Sequence, residues 1–325
     1  MHSGEEAGHL LNVDALSVSF PLFEGTLHVL DDVSFTINRN EIFGLVGESG
    51  SGKTVCALAV MKLLDPPGRV VGGNAWFGDK DLLRLSEREM RNIRGSKISM
   101  IFQDPKSCLN PFMKVGRQMS RVFRTHSAMR DSEAGEKAVE MLSKMGIADP
   151  KNIQNYYPHQ LSGGMAQRVM IAIMMSCDPD LLVADEPTTG LDVTTQSEIM
   201  RLMRQTCTER GTSIWLVTHD LAVVAQNCDR VGVMHAGHIV EIADVHSIFR
   251  RPLHPYTRGL ISAVPRIDKK IRSAGIPGQV PSFLNPPAGC RFAPRCTIAR
   301  DQCLSDKPTY VQVEPGHFVM CHELK

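Results

Sequence analysis

Gly47-Glu48-Ser49-Gly50-Ser51-Gly52-Lys53-Thr54 is the stretch that decides the fold. Its glycines let backbone N–H groups turn inward toward phosphate oxygens, and a following helix would add its positive end. In such a loop Lys53 reaches the β- and γ-phosphates, and the Thr54 hydroxyl binds Mg²⁺. The flanks agree with this reading. Glu41 to Val46 is a short apolar strand running into the loop, and Lys53 to Leu64 has the pattern of a helix that stops at Pro66-Pro67-Gly68. Strand, glycine loop and helix in that order is the context a phosphate loop requires.

Upstream, Val13, Ala15, Leu16, Val18 and Phe20, then His28 to Leu30 and Val33 to Ile37, alternate in the manner of antiparallel strands, with a turn near Pro21 to Gly25. Downstream, Leu83 to Met145 is helical in pattern, Ser132 to Met145 most clearly. Leu181 to Ala184 is a continuous buried-strand run. It is followed by a helix at Thr194 to Thr208, a strand at Ser213 to Thr218, a helix at Leu221 to Asn227, and strands at Arg230 to Met234 and Ile239 to Ile242. Alternating strands and helices predict an α/β fold. The expected architecture is a phosphate-loop NTPase cassette over residues 1–250. It has a parallel core sheet, an antiparallel β subdomain and a helical insertion at about 83–178. Beyond Phe249 the composition changes. Seven prolines fall between Arg251 and Pro287, and residues 251–325 predict a small Pro/Cys-rich C-terminal domain with little regular structure.

The chain has 325 residues and a net charge of +1, which gives no case for nucleic acid as a partner. No secretory signal is visible in Met1 to His9, and the longest apolar runs fall short of the roughly 20 residues of a membrane span. A cytosolic protein that meets a membrane only through a partner is expected. In that setting the late cluster Cys290, Cys296, Cys303 and Cys321 speaks for metal binding rather than disulfides.

Two further stretches bear on chemistry. Asp185-Glu186 ends the Leu181 to Ala184 strand, where Asp185 would hold Mg²⁺ and Glu186 would polarise an attacking water. Leu161-Ser162-Gly163-Gly164-Met165-Ala166-Gln167-Arg168 opens a helix whose first N–H groups have no internal partner, so it can receive an anion.

Glycine loop, Ser-Gly-Gly helix start and Asp-Glu pair in this order resemble the ATP-binding cassette family. The resemblance narrows to the oligopeptide/dipeptide/nickel importer ATPases through Phe102-Gln103-Asp104-Pro105, Leu109-Asn110-Pro111, Asp185-Glu186-Pro187-Thr188-Thr189, His254-Pro255-Tyr256-Thr257-Arg258-Gly259-Leu260 and Gly289-Cys290-Arg291-Phe292-Ala293-Pro294-Arg295-Cys296. It implies ATP bound by Gly47, Glu48, Ser49, Gly50, Ser51, Gly52, Lys53 and Thr54, with Phe20 stacked on adenine and Phe23 as its competitor. It implies His219 contacting the γ-phosphate, Gln103 sensing Mg²⁺ and the transport subunit, and Asp192 bridging two ATPase subunits. Leu161, Ser162, Gly163, Gly164 and Gln167 would cap the nucleotide held by a partner. The partners implied are a second, different ATPase forming a heterodimer, two membrane permease subunits and an external solute-binding protein. The protein would then sit at the cytoplasmic face of the cell membrane, peripheral through the permeases. Peptides lead as the solute, with nickel, opines or other small solutes behind. The loop from Gln103 to Phe112 would dock a permease, with Leu109 and Phe112 as apolar anchors.

Departures from the subfamily pattern are small: Asn40 before Glu41, Thr54 for Ser, and Gly190 for Ala. None removes a catalytic group. A non-transport cassette ATPase would carry two cassettes or a long coiled-coil insertion. A regulatory subunit with degenerate catalysis would lack Lys53, Glu186 or His219.

The tail spacing Cys290-x5-Cys296-x6-Cys303-x17-Cys321 suits either a [4Fe–4S] cluster or zinc, and buried unliganded thiols are the remaining reading. Zinc sites favour shorter paired spacings, so the cluster is expected first. Similar tails in the dipeptide-importer ATPases point the same way. His317 and His322 are substitutes for one ligand.

Overall fold

The computed structural model describes residues 8–127, 129–264 and 275–324, apart from the side chains of 206 and 207. The stretch read for an export signal therefore lies mostly outside the described residues. The chain divides into two compact units, Met1–Arg84 with Val217–Lys325, and Leu85–Leu216.

In chain order the first unit holds β1 (His9–Leu22), β2 (Gly25–Asn38), β3 (Ile42–Val46), α1 (Lys53–Val60), β4 (Arg69–Phe77) and β5 (Lys80–Asp81). The second holds α2 (Glu87–Ile93), β6 (Ile98–Ile101), α3 (Pro105–Cys108), α4 (Val115–His126), α5 (Asp131–Lys144), α6 (Pro150–Ile153), α7 (Gly163–Met174), β7 (Leu181–Asp185), α8 (Val193–Arg210) and most of β8 (Ser213–Thr218). The chain then returns to the first unit with α9 (Leu221–Asn227), β9 (Arg230–His235), β10 (His238–Asp244), α10 (Val245–Arg250) and α11 (Pro255–Ala263). It ends with α12 (Asp301–Ser305), β11 (Tyr310–Glu314) and β12 (His317–Met320).

In the first unit, β1 and β2 form the hairpin that the alternation predicts, and β4 pairs with the other edge of β1, giving the order β2-β1-β4-β5. β3 is buried along its whole length and runs parallel to β9, with Phe43 opposite Arg230 and Val46 opposite Val233. α1 ends at Val60 rather than Leu64. Lys62 takes a left-handed φ of 52°, which an α-helix does not tolerate.

The sheet is mixed rather than purely parallel. β9 and β10 are joined by Ala236-Gly237, both with positive φ (45° and 80°), and a two-residue turn of this kind forces antiparallel pairing. The tail also departs from expectation. β12 pairs antiparallel with β10, Glu241 opposite Val319 and Ile242 opposite Phe318, and β11 pairs with β12. The alternating runs are only four and five residues long and sit among polar residues, so their period is inconspicuous in sequence.

In the second unit, β6 and β7 are parallel, with Ile98 opposite Leu181 and Ile101 opposite Ala184. The helices around them bury Met119 and Phe123 of α4, Ala138, Met141 and Leu142 of α5, and Val169, Met170 and Ile173 of α7. Each of the large side chains contributes about 1.5–3 kcal/mol by leaving water, so the insertion has an apolar core of its own.

Candidate functional site

In the first unit the glycine loop runs from the buried strand β3 into α1. Gly47 is dictated by space: a Cβ there would lie 2.0 Å from the Met234 carbonyl oxygen. Gly50 and Gly52 have φ of 77° and 107°, the left-handed region in which glycine turns successive amides toward one side of the loop. The Lys53 Nζ is buried. It donates to Gly47 O at 2.9 Å, to Glu48 O at 3.0 Å and to Ser51 Oγ at 3.4 Å. Those acceptors are neutral dipoles, and a phosphate oxygen carrying full charge makes the stronger partner. Ser51 is buried, Ser49 and Gly50 are exposed at the loop's tip, and Thr54 is exposed at the start of α1. The Glu48 carboxylate pairs with Arg295.

Phe20 is half-buried at the end of β1, its ring against Gly68, where a Cβ would come within 2.4 Å of it. Phe23, in the turn, is fully exposed. His219 is exposed just beyond β8.

In the second unit, Asp185 is buried at the end of β7 and Glu186 follows it. Glu186 has a left-handed φ of 47°, a conformation costing a non-glycine residue about 1–3 kcal/mol and typical of functional positions. Its carboxylate accepts from Gln103 Nε2 at 3.1 Å and from Thr189 Oγ1 at 2.8 Å, so two donors aim it. Gln103 follows β6, the strand paired with β7.

Ser162 caps α7, its hydroxyl accepting from Met165 N at 3.3 Å. Leu161 is buried, whereas Ser162 and Gly163 are exposed. A Cβ on Gly163 would meet nothing within 4 Å, and one on Gly164 would meet Thr195 Cγ2 at 3.2 Å. Gln167 is buried and donates to Pro187 O, joining the Ser-Gly-Gly helix to the turn after Glu186. Asp192 is exposed and accepts from Thr195 N at 3.0 Å and Thr195 Oγ1 at 2.7 Å. These bonds, the backbone one first, hold its carboxyl below the usual range. Thr195 thus stands beside both Asp192 and Gly164. Thr189 is part of the quoted motif, but its contact with Glu186, like that of Thr195 with Asp192, appears only once the turns are formed.

The loop after Gln103 forms α3, capped by Asp104, which accepts from Lys106 N at 3.0 Å. Phe112 is 89% exposed, whereas Leu109, expected as a second anchor, is 3% exposed and belongs to the core. Between α4 and α7 lies a cleft lined by Leu109, Met113, Val122, Met170, Ile173 and Met174.

At the end of the chain Cys290, Cys296, Cys303 and Cys321 line one small cavity together with His322. Burial pushes Cys290 up to about 11, with the charges of Cys321 and Cys303 adding to the effect. Burial likewise raises Cys296 and Cys321, again with neighbouring cysteines contributing. Among the described residues no group of three or more His, Cys, Asp or Glu is set to hold a metal ion, and the four thiols are unbridged. His317 is elsewhere, its Nε2 2.8 Å from Glu241 Oε1, and is not part of this group.

A glycine loop between a buried strand and a helix, with a strand-end Asp-Glu pair and a glycine-opened helix start, defines a phosphate-loop ATPase cassette. The ABC transporter family matches residues 30–189, and "Oligopeptide/dipeptide transporter, C-terminal region" matches residues 240–303. The chain is 47% identical over 324 residues to the "Probable peptide ABC transporter ATP-binding protein y4tR" of Sinorhizobium fredii, covering 99% of this chain and 97% of that one. It is 44% identical over 314 residues to the "Dipeptide transport ATP-binding protein DppD" of Escherichia coli, covering 96% of each. Among solved structures, a dimeric post-hydrolysis state of the ATP-binding cassette MJ0796, bound to ADP and Pi, superposes with a TM-score of 0.66 at 26% identity. It covers 72% of this chain and 98% of that one. The chain belongs to the ABC transporter family, as an ATP-hydrolysing cassette subunit.

Proposed function

We propose that this subunit hydrolyses ATP to drive peptide import, as one of two different ATPases beneath a pair of membrane permeases served by an external solute-binding protein. The observation that carries the peptide assignment is the oligopeptide/dipeptide transporter C-terminal match, in a chain 44% identical over nearly its whole length to a dipeptide transport ATP-binding protein. No helix among the described residues is long and apolar enough to cross a membrane. Attachment at the cytoplasmic face through the permeases belongs to the same proposal and is supported by the peptide-transport relatives. Residues 1–250 would be the cassette, and 251–325 a Cys-rich domain of the oligopeptide-transporter type, a reading supported by the match over residues 240–303.

The roles follow from chemistry. The loop amides and Lys53 bind the phosphates, Thr54, Asp185 and Gln103 serve Mg²⁺, and Phe20 stacks on adenine. Glu186 takes the proton of the attacking water and His219 orients that water. Leu161 to Gln167 offers its capped helix start to the nucleotide of the partner ATPase, and Asp192 bridges the pair. The cleft beside Phe112 receives a short permease helix.

Glu186→Gln keeps the shape of the side chain and removes the base, a change worth about 10²–10⁴ in rate. Assembled with its partner ATPase, this variant should bind ATP, hold the closed dimer and lose turnover. Undiminished hydrolysis would remove Glu186 from the role, and full activity of a strict monomer would remove the paired arrangement.

The four cysteines would hold a [4Fe–4S] cluster, with one zinc ion as the alternative. The support is the convergence of all four on one small cavity. Such a group supplies a structural cross-link. Anaerobic purification should give brown protein with iron and sulfide in equal amounts. A colourless protein with one bound zinc would select the alternative, and metal-free protein with an intact tail would remove both.

A further inference from the structure

The tail reaches the glycine loop directly. Glu48 and Arg295 lie 247 residues apart and form a two-pronged ion pair, Nη1 to Oε2 at 2.6 Å and Nη2 to Oε1 at 2.9 Å. The Arg295 side chain is 3% exposed. Its Nε donates to Pro277 O at 2.8 Å and its Nη1 lies 3.2 Å from His235 Nε2. Burial, and then the charge of Arg295, lowers His235 to about 3, so the imidazole is neutral and its ring nitrogen accepts from the guanidinium. The backbone N–H of Glu48 donates to the Tyr256 hydroxyl at 2.9 Å. Tyr256, His235 and Phe292 stack edge to face around these groups, with centroids 4.5–5.4 Å apart.

A second tie runs through Arg291. It donates to the Ala236 carbonyl at 2.6 Å, and the adjoining Gly237 N–H donates to Ser51 O at 2.8 Å. The tail thus holds the loop at Glu48 directly and at Ser51 through the β9–β10 turn. Nothing in the phosphate chemistry of such a loop requires a carboxylate at position 48, which repels phosphate. Its two oxygens are instead spent on a residue of the tail.

We propose that Arg295 is a positioning residue for ATP: its fork on Glu48, with Tyr256 on the Glu48 amide, keeps the loop open to phosphate and the carboxylate turned away from it. The C-terminal segment is thereby a working part of the nucleotide site. The proposal rests on Gly47–Thr54 being the nucleotide loop.

The test is equilibrium binding of a non-hydrolysable Mg-ATP analogue to the purified full chain, with hydrogen exchange of the loop amides measured in parallel. Arg295→Lys keeps the charge and loses the planar fork, and Glu48→Gln loses the pairing charge. Each should weaken binding about tenfold, the scale of one charge-assisted hydrogen bond, and speed exchange at Glu48 to Lys53. The double variant should be no weaker than either single, since both break one interaction. Tyr256→Phe, a single-oxygen change, should act in the same direction if Arg295→Lys does not fold. Binding within twofold of the parent in all the variants, or additive losses in the double, would overturn the positioning role. Lys53→Ala serves as the separate control: unweakened binding there would fault the loop assignment itself rather than Arg295.

Discussion

Two glycines of the cassette are glycine for different reasons. Gly47 has no room for a methyl group, because Met234 O occupies it. Gly163 has open space and an ordinary φ, so the fold does not need it to be glycine. Gly47→Ala should therefore destabilise the folded chain by about 1–3 kcal/mol and abolish nucleotide binding, read by denaturant midpoint and analogue titration. Gly163→Ala should keep the parent's midpoint and its own nucleotide affinity, yet slow turnover of the assembled pair if, as proposed, this helix start meets the partner's nucleotide. Equal behaviour of the two variants would contradict this division. The positions of Lys53, Asp185 and Glu186 are legible from sequence since motif spacing marks them. Thr189 and Arg295 also lie in recognisable motifs, but their contacts with Glu186 and Glu48 are not legible, because turns and distant segments create them.

Among the elements, the buried strands and the helices after them follow from hydrophobic runs, and α9 keeps the expected bounds of Leu221 to Asn227. The β11–β12 hairpin escapes such a reading because its stability is borrowed from β10. Glu241, fully buried on β10, shows how. Its oxygens accept from Leu253 N at 2.8 Å and His254 N at 3.0 Å, and Oε1 lies 2.8 Å from His317 Nε2. One carboxylate thus joins β10, the start of α11 and the hairpin. Glu241→Ala would strand three polar groups, two of them buried, and should cost about 3–5 kcal/mol, with faster amide exchange across residues 310–320. Exchange and melting like the parent's would mean that the hairpin holds without it.

For the molecule as a whole, two buried imidazoles set an acid limit. Burial first, with nearby positive charges second, lowers His254 and His235 to about 3. Both are neutral in the fold but take up protons near pH 6.5 when unfolded. Their contribution is complete above about pH 6.5 and is lost as the pH falls toward 3. Between pH 7.5 and 5 each should remove about 2 kcal/mol of stability, measured by denaturant unfolding. His254→Asn keeps an acceptor for Tyr256 N and should roughly halve that dependence, leaving the share of His235; an unchanged slope would exclude His254 as a source.

The hairpin has another consequence, for chains that are cut short. β10 is lined with buried apolar residues, and without β12 its free backbone groups would form a long, greasy border ready to recruit a strand from another copy. β11, which forms the actual border, is five residues long, carries exposed Gln312 and Glu314, and has Glu314 paired with Arg251. Residues 310–320 thus cover the edge that β10 would otherwise leave open. A message ending early would yield sticky, self-associating material rather than a slightly shorter ATPase.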